Sequence, residues 1–314
     1  MKLSLVVPCY NEQDNVQEFY HCTKACFCNK VEDYEIIFIN DGSSDKTMEK
    51  LKTLIDYDRP SVQIVSFSRN FGKESAIYAG LTRAKGDCVC IIDADLQQRP
   101  EVVLEMLEIL DTYPEYDCVC AYQAKRKEGK LRSFLKSSFY KIINKVSDVD
   151  FVNGASDFRL MKRPMVNAIL SMTEYHRFSK GIFSWVGFNT KFIPYDVAVR
   201  ERGTSKWSTK KLFKYAINGI VAFSTAPLKF TIFTGFFASV LSFLYTIFVI
   251  VQKLVWGIDI PGYATITVLI LLFGGLILFC LGIISEYISK MYVQLKNRPI
   301  YIEKEHLESK KHDD

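Results

Sequence analysis

The chain has 314 residues, 49% of them hydrophobic and 24% charged, so it can bury a large core and suits one sizeable domain with something added. A net charge of +5 is too small over this length to argue for a nucleic-acid partner. Nine cysteines with no N-terminal secretory signal point to a reducing compartment rather than a disulfide scaffold.

Residues 3–8, LSLVVP, read as a short apolar strand, followed by Cys9, Tyr10, Asn11 and Glu12 and then a helix to about Asn29. Cys22, Cys26 and Cys28 in that helix lack the second pair that a structural zinc site would need. Residues 35–39, EIIFI, form a second strand that ends in Asn40–Asp41–Gly42–Ser43–Ser44–Asp45. Gly42 supplies the turn, and Ser44 or Asp45 can cap the next helix. A third strand at 62–67, a helix at 73–84, a fourth strand at 88–92, a helix opened by Pro100 and a fifth strand at 117–122 follow. Cys88 with Cys90, and Cys118 with Cys120, fall at strand spacing and pack as small apolar residues. This alternation predicts a parallel sheet covered on both faces, with a ligand beyond the carboxyl ends of the strands. Three polar clusters share that edge: Pro8–Glu12, Asn40–Asp45 and Asp93–Gln97.

The third cluster organises the rest. The apolar run Ile91–Ile92 ends in Asp93–Ala94–Asp95–Leu96–Gln97, which delivers several hard oxygen ligands to one rim. Such ligands suit Mg²⁺ or Mn²⁺, and either ion suits a diphosphate. An isolated Asp-x-Asp is also what a plain acidic loop looks like, so the remainder of the chain has to decide between the two.

Residues 123–132, QAKRKEGKLR, form a basic loop. From 131 to 146 apolar residues recur near helical spacing between lysines, which fits an amphipathic helix at a membrane surface or one packed on the domain. A similar stretch runs from Trp207 to about Phe223. Phe230–Val251 and Ala264–Ser285 are each 22 residues without a charge. Each would span about 33 Å as a helix, enough for the hydrocarbon core of a bilayer. Lys206, Lys210, Lys211, Lys214 and Lys229 precede the first span, and Lys290, Lys296, Arg298 and Lys304 follow the start of the region after the second. The connector 252–263 carries only Lys253 and Asp259. The positive-inside rule therefore places both ends of the chain, and with them the N-terminal domain, in the cytoplasm, and the connector outside.

The motifs resemble a known family. Val6–Val7–Pro8–Cys9–Tyr10–Asn11–Glu12, Asn40–Asp41–Gly42–Ser43, Asp93–Ala94–Asp95–Leu96–Gln97, Gly154–Ala155–Ser156–Asp157–Phe158–Arg159 and Arg202–Gly203–Thr204–Ser205–Lys206–Trp207 occur in that order. Together they are similar to a family 2 glycosyltransferase of the polyprenyl-phosphate branch, which holds dolichyl-phosphate mannosyltransferases and bactoprenol (undecaprenyl-phosphate) glucosyltransferases. The two spans and Asn297–Arg298–Pro299–Ile300–Tyr301 most resemble the bactoprenol type. The resemblance implies a GT-A, Rossmann-like, mostly parallel domain over 1–205, a juxtamembrane amphipathic helix over 206–229, spans at 230–251 and 264–285, and a cytoplasmic tail over 286–314. A homotetramer is implied by family analogy.

It also implies roles. Pro8, Tyr10, Asn11, Glu12, Asp41, Asp93, Ala94 and Asp95 would hold the nucleotide sugar, while Asp41 before Gly42 could equally be a turn-forming residue. Asp93, Asp95 and Gln97 would place a divalent ion on the diphosphate, making Asp95 part of the catalytic apparatus. Asp157 matches the family's catalytic base and could orient the acceptor or take its last proton. Arg126, Arg132, Arg202 and Lys206 would hold phosphate groups of donor and acceptor. His176 and Arg177 sit in another family-like stretch, and His176, as a lone histidine, is assigned no chemistry. The expected reaction is transfer of a hexose, glucose from UDP-glucose for preference, to a polyprenyl phosphate with inversion. N-acetylhexosamine, mannose or aminoarabinose donors fit the same motifs. A processive polysaccharide synthase would carry Gln-x-x-Arg-Trp, which does not occur, and an inactive scaffold would tolerate loss of Asp93, Asp95 or Asp157, all of which are present.

Overall fold

The computed structural model describes residues 2–55, 60–123, 144, 155–196, 221, 224–256 and 262–309. In chain order the elements are β1 (Leu3–Cys9), α1 (Val16–Phe27), β2 (Tyr34–Asn40), α2 (Thr47–Lys52), β3 (Ser61–Phe67), α3 (Lys73–Arg83), β4 (Cys88–Ile91), α4 (Pro100–Thr112) and β5 (Cys118–Gln123). They continue with β6 (Ala155–Lys162), α5 (Arg163–Ser171), α6 (Ser179–Trp185), β7 (Thr190–Tyr195), α7 (Ala226–Trp256), α8 (Tyr263–Leu295) and β8 (Glu303–Glu308).

The eight strands form one sheet in the order β7-β5-β6-β4-β1-β2-β3-β8. β4, β1, β2 and β3 are mutually parallel, as are β5 and β7, whereas β6 runs antiparallel to both of its neighbours and β8 antiparallel to β3. The fold is therefore the mostly parallel α/β architecture that the alternating strands and helices predict. Its central strands are apolar on both sides because both faces are covered. Leu5, Val7 and Phe38 pack with Phe19, Tyr20, Val103 and Met106 under α1 and α4. On the opposite face Val6, Ile37 and Ile39 pack with Ala76, Ile77, Met165 and Ile182 under α3, α5 and α6.

The close seat of α3 on β1 depends on Gly80, where an added Cβ would meet Val6 Cγ1 at 2.1 Å. Only a residue without a side chain lets the helix lie so near the sheet. That contact sets the height at which the first turn of α3 emerges at the strand edge.

Two segments differ from the sequence expectation. Residues 303–308 fall in a stretch that reads as a charged tail, yet they form β8 on the open edge of β3. An edge strand facing water needs no apolar alternation, so its charges hide it from pattern reading. The charges are used: Arg83–Glu303, Lys85–Glu308 and Lys52–Glu305 pair at 2.7, 2.9 and 2.7 Å. The second apolar helix does not stop at Ser285 but continues to Leu295, since nothing between them breaks a helix. There Gln294 Oε1 accepts the Tyr175 backbone N–H at 2.8 Å.

α7 and α8 contain candidate spans at Ala226–Gln252 and Val268–Leu295, none of whose apolar windows is buried. Phe236 is 68% and Leu278 71% exposed, whereas a core helix would hide such residues. The chain is membrane-associated. The basic loop, the amphipathic helix at 131–146, most of 206–229 and the connector at 257–261 lie outside the described residues.

Candidate active site at the strand edge

β1, β2, β3 and β4 all end at one rim, and the loops that leave them are tied to each other. The Asp41 N–H donates to the Cys9 carbonyl at 2.9 Å, the Asn11 N–H to Ser43 Oγ at 3.0 Å, and the Ser44 N–H to Asn11 Oδ1 at 2.9 Å. Glu12 N–H donates to Thr47 Oγ1 at 2.9 Å, and Asp45 Oδ1 accepts the Thr47 N–H at 3.0 Å. The N-cap itself is Lys46, without a side-chain cap bond, so neither Ser44 nor Asp45 takes the capping position expected of them; Asp45 braces the first helical residue from one place before it. Asn11 and Leu96 adopt left-handed backbone, with φ of 55° and 57°. Such conformations in side-chain-bearing residues concentrate where loops are shaped for a ligand. Tyr10 stands 40% exposed at this rim, and Pro8 is half-buried near the end of β1.

Asp41 is buried, with a side chain that accepts the Phe71 N–H at 2.6 Å and the Gly72 N–H at 2.9 Å, one on each oxygen. It therefore braces the loop between β3 and α3, a use of the residue that neither a turn nor a base contact anticipates. Burial raises its pKa, and the two N–H bonds and Arg69 work against that rise.

Asp93 follows β4. Its N–H donates to Gln98 Oε1 at 2.8 Å, and Gln98 Nε2 returns a bond to Asp93 Oδ2 at 3.1 Å. Gln98, 7% exposed, is the amide that fixes this carboxylate, a place the sequence reading left empty beside its choice of Gln97. Gln97 is half-buried and donates its backbone N–H to Asp95 Oδ1 at 3.2 Å. Ala94, 2% exposed, packs into the core, so it spaces the two aspartates and presents no side chain to the rim.

Asp157 reaches the same place from the other direction. The register of β4 against antiparallel β6 runs from Cys88↔Lys162 to Ile91↔Arg159. Continued two residues past the end of β4, that register leads from Ile91 and Arg159 towards Asp93 and Asp157. Between them lies Lys73, the first residue of α3: its Nζ is 2.7 Å from Asp93 Oδ1 and 3.2 Å from Asp157 Oδ2. Asp157 Oδ1 is buried and accepts no hydrogen bond from the described residues. Burial alone would raise the Asp157 pKa, but Lys73, Lys180 and Arg159 bring it below the ordinary carboxylate range. Desolvation opposes the charge on Lys73, and Asp93 and Asp157 outweigh it, so the ammonium is held above its usual pKa.

The neighbouring Glu74 accepts the backbone N–H of Ser179 at 2.8 Å and also its hydroxyl. That contact joins the first turns of α3 and α6. Burial, then the nearby Asp157, push the Glu74 carboxyl up to about 7. Arg159 is buried, donates to the Ser156 carbonyl at 3.0 Å and stacks over Phe183.

The model for glycosyl transferase family 2 matches residues 4–170, which takes in β1 to β6, both aspartates of the Asp-x-Asp and Asp157. The chain belongs to glycosyl transferase family 2. A second model, for the GtrB C-terminal hairpin, matches residues 226–291, the two apolar helices of this glycosyltransferase. It is 45% identical to CsbB of Bacillus subtilis over 304 residues, 96% of this chain and 91% of that protein. It is 41% identical over 303 residues to the SfII prophage-derived bactoprenol glucosyl transferase of Shigella flexneri, covering 96% of this chain and 97% of that one. Among solved structures it aligns with the glucosyl-3-phosphoglycerate synthase of Mycobacterium tuberculosis in complex with Mn²⁺, UDP-glucose and phosphoglyceric acid, at TM-score 0.47 and 17% identity, over 70% of this chain and 77% of that one.

In this family 2 glycosyltransferase the rim thus gathers Asp93, Asp95 and Asp157, with Tyr10, Asn11, Glu12 and Asp41 on the adjoining loops. Arg126, Arg132, Arg202 and Lys206 lie outside the described residues. Among the described residues no group of three or more His, Cys, Asp or Glu side chains is gathered as a cage for a metal ion. Two carboxylates one residue apart fit a different arrangement, in which an ion arrives with a diphosphate that completes its oxygen shell. Lys73, Glu74, Gln98 and Ser179 went unnoticed in the sequence. The one signal for Lys73 was positional, since the loop after β3 ends at the same rim as the loops after β1, β2 and β4.

Proposed function

We propose that the protein transfers glucose from UDP-glucose to a polyprenyl phosphate in the membrane, forming a lipid-phosphate sugar with inversion at the anomeric carbon. The observation that carries this reading is that Asp157, one of whose oxygens has no donor among the described residues, shares Lys73 with Asp93 of the Asp-x-Asp on a chain that continues into two apolar helices. Relatives named bactoprenol glucosyl transferase, aligned over nearly their whole length, support the lipid acceptor and the sugar.

The loops 8–12 and 40–45 receive the nucleoside. Asp41, though engaged with Phe71 and Gly72, keeps acceptor capacity for one further donor, because an ionised carboxylate offers about four lone-pair sites. Asp93 and Asp95, with Gln97 beside them, would hold Mg²⁺ or Mn²⁺ against the donor diphosphate. When bound, such an ion stabilises the negative charge that develops on the departing nucleoside diphosphate.

A phosphate monoester is mostly dianionic near neutrality, its second pKa being about 6, so the acceptor needs positioning more than deprotonation. Asp157 Oδ1, ionised and without a donor among the described residues, would accept the last proton of a monoprotonated acceptor or orient a hydrated one. Arg126, Arg132, Arg202 and Lys206 would neutralise the two phosphates. Inversion follows from a direct displacement with one carboxylate, since a double displacement would need a nucleophile on the opposite face of the sugar. The positive-inside flanks support a cytoplasmic catalytic domain, and family analogy supports a tetramer.

A donor screen tests the reading. Purified protein is incubated with polyprenyl phosphate and each radiolabelled sugar nucleotide in turn, and the products are extracted into organic solvent. Label from UDP-glucose in a β-linked lipid product is expected. Label from a different donor only would overturn the choice of sugar, and an α-linked product would overturn inversion.

A further inference from the structure

Lys73 is placed by three contacts that have nothing to do with its own side chain. Asp41 holds Phe71 and Gly72 from beneath, Gly80 lets α3 lie tight on β1, and Glu74 fastens the same turn to Ser179. The result is an ammonium delivered between two carboxylates that come from separate strands. It touches both oxygens of Asp93, at 2.7 and 3.0 Å, and Oδ2 of Asp157 at 3.2 Å. A lysine head is a compact point charge with three donors, so it can serve both partners together.

We infer that Lys73 is a positioning residue: it aligns Asp157 with the donor site, and its ammonium is the counter-ion that a divalent cation must share or displace at Asp93. The inference rests on the reading of Asp93 as a metal ligand. Two consequences follow from the charges alone. With Lys73 absent, Asp93 loses a competing cation, so it should accept a divalent ion more readily. Asp157 loses the ion pair that holds its Oδ2 and faces Asp93 without the ammonium that bridges them, so its carboxylate should swing out of line. The same substitution should thus tighten metal binding and slow turnover, a combination that simple structural damage does not produce. Lys73 does not need to touch the reacting atoms for either effect.

The test compares full-length wild type, Lys73→Met and Lys73→Arg in detergent. Mn²⁺ binding is read without donor from the loss of the free-ion electron paramagnetic resonance signal, and kcat and donor KM are read separately. For Lys73→Met the Mn²⁺ affinity is expected to rise by roughly two- to fivefold, the scale on which one partly exposed ion pair acts. Its kcat is expected to fall by roughly 100-fold, as for a misaligned catalytic group, with donor KM within a few-fold of wild type. Lys73→Arg, which can still bridge two carboxylates, should recover most of the turnover. Wild type that binds Mn²⁺ together with a Lys73→Met variant of unchanged or weaker affinity would overturn this inference alone. Wild type that fails to bind Mn²⁺ at all would overturn both this inference and the metal reading of Asp93. Thermal unfolding of the three proteins separates loss of fold from loss of alignment: a low midpoint in Lys73→Met with unchanged metal affinity counts against the inference.

Discussion

Asp93, just past the end of β4, and Asp157, in the antiparallel neighbour β6, both meet the ammonium of Lys73. They are separated by more than sixty residues of chain, and the antiparallel insertion of β6 between β4 and β5 is what brings them together. A purely parallel sheet would have carried Asp157, two residues into its strand, to the wrong end.

Asp157 is the group whose loss should touch turnover most. Asp157→Asn keeps the size and shape of the side chain but removes its charge and its capacity to take a proton. Its kcat should fall by roughly 100- to 10,000-fold, the usual weight of a proton-accepting or orienting carboxylate, while donor KM stays near wild type. Initial-rate kinetics with varied UDP-glucose check this. A normal kcat would remove Asp157 from the reaction.

Glu74 should make stability depend on pH. Its folded pKa of about 7 stands above the ordinary 4.5 for a glutamate, so between those values the folded chain holds more protons than the unfolded one. Stability contributed by this group is complete below about 4.5 and is lost as pH rises through 7. Glu74→Gln keeps an acceptor for Ser179 and cannot ionise. Thermal midpoints measured from pH 5 to pH 8 should fall for wild type relative to Glu74→Gln, and parallel curves would contradict the buried carboxyl.

The seat of α3 is open to a packing test. Gly80→Ala drives a methyl into Val6 Cγ1 and should cost about 1–3 kcal/mol, the range for overpacking a tight core. Val6→Ala combined with Gly80→Ala vacates the space and should restore most of the helix position. Chemical denaturation gives the energies, and recovery of activity in the double variant reports whether Lys73 has returned to its place. A double variant as damaged as Gly80→Ala alone would show that the contact is not what sets α3.

β8 should matter through its backbone rather than its charges. The pairs to Glu303, Glu305 and Glu308 are half-exposed, and each is worth at most about 1 kcal/mol. Neutralising all three glutamates to glutamine should therefore lower the thermal midpoint only slightly. Deleting 303–314 bares the edge of β3, including the reciprocal bonds between Ser309 and Val62, and should both destabilise the domain and promote association through that edge. Equal effects from the two changes would reverse this ranking.

The parts of the fold that pattern reading recovers are those whose physics is local. Buried parallel strands such as Ile36–Ile39 announce themselves as apolar runs, and Pro100 marks a helix start by its fixed φ. What it misses depends on partners far along the chain. β8 is a charged sequence that becomes a strand only because β3 offers an open edge. Asp157 could be picked out by motif, but its place beside Asp93 at Lys73 needed the antiparallel course of β6. Lys73 carried no motif at all, and its role comes from the two carboxylates that surround it. Asp41 shows the converse: a residue legible as part of a motif spends its two oxygens on the backbone of a neighbouring loop.

The most direct measurement follows radiolabel from UDP-glucose into polyprenyl phosphate with the purified full-length protein, with and without divalent ion, and with Asp157→Asn as the control. A labelled organic-soluble product that needs the ion and nearly vanishes in Asp157→Asn is expected. Label that enters a water-soluble polymer, or no label in lipid from any sugar nucleotide, would contradict a transferase that hands one sugar to a membrane phosphate.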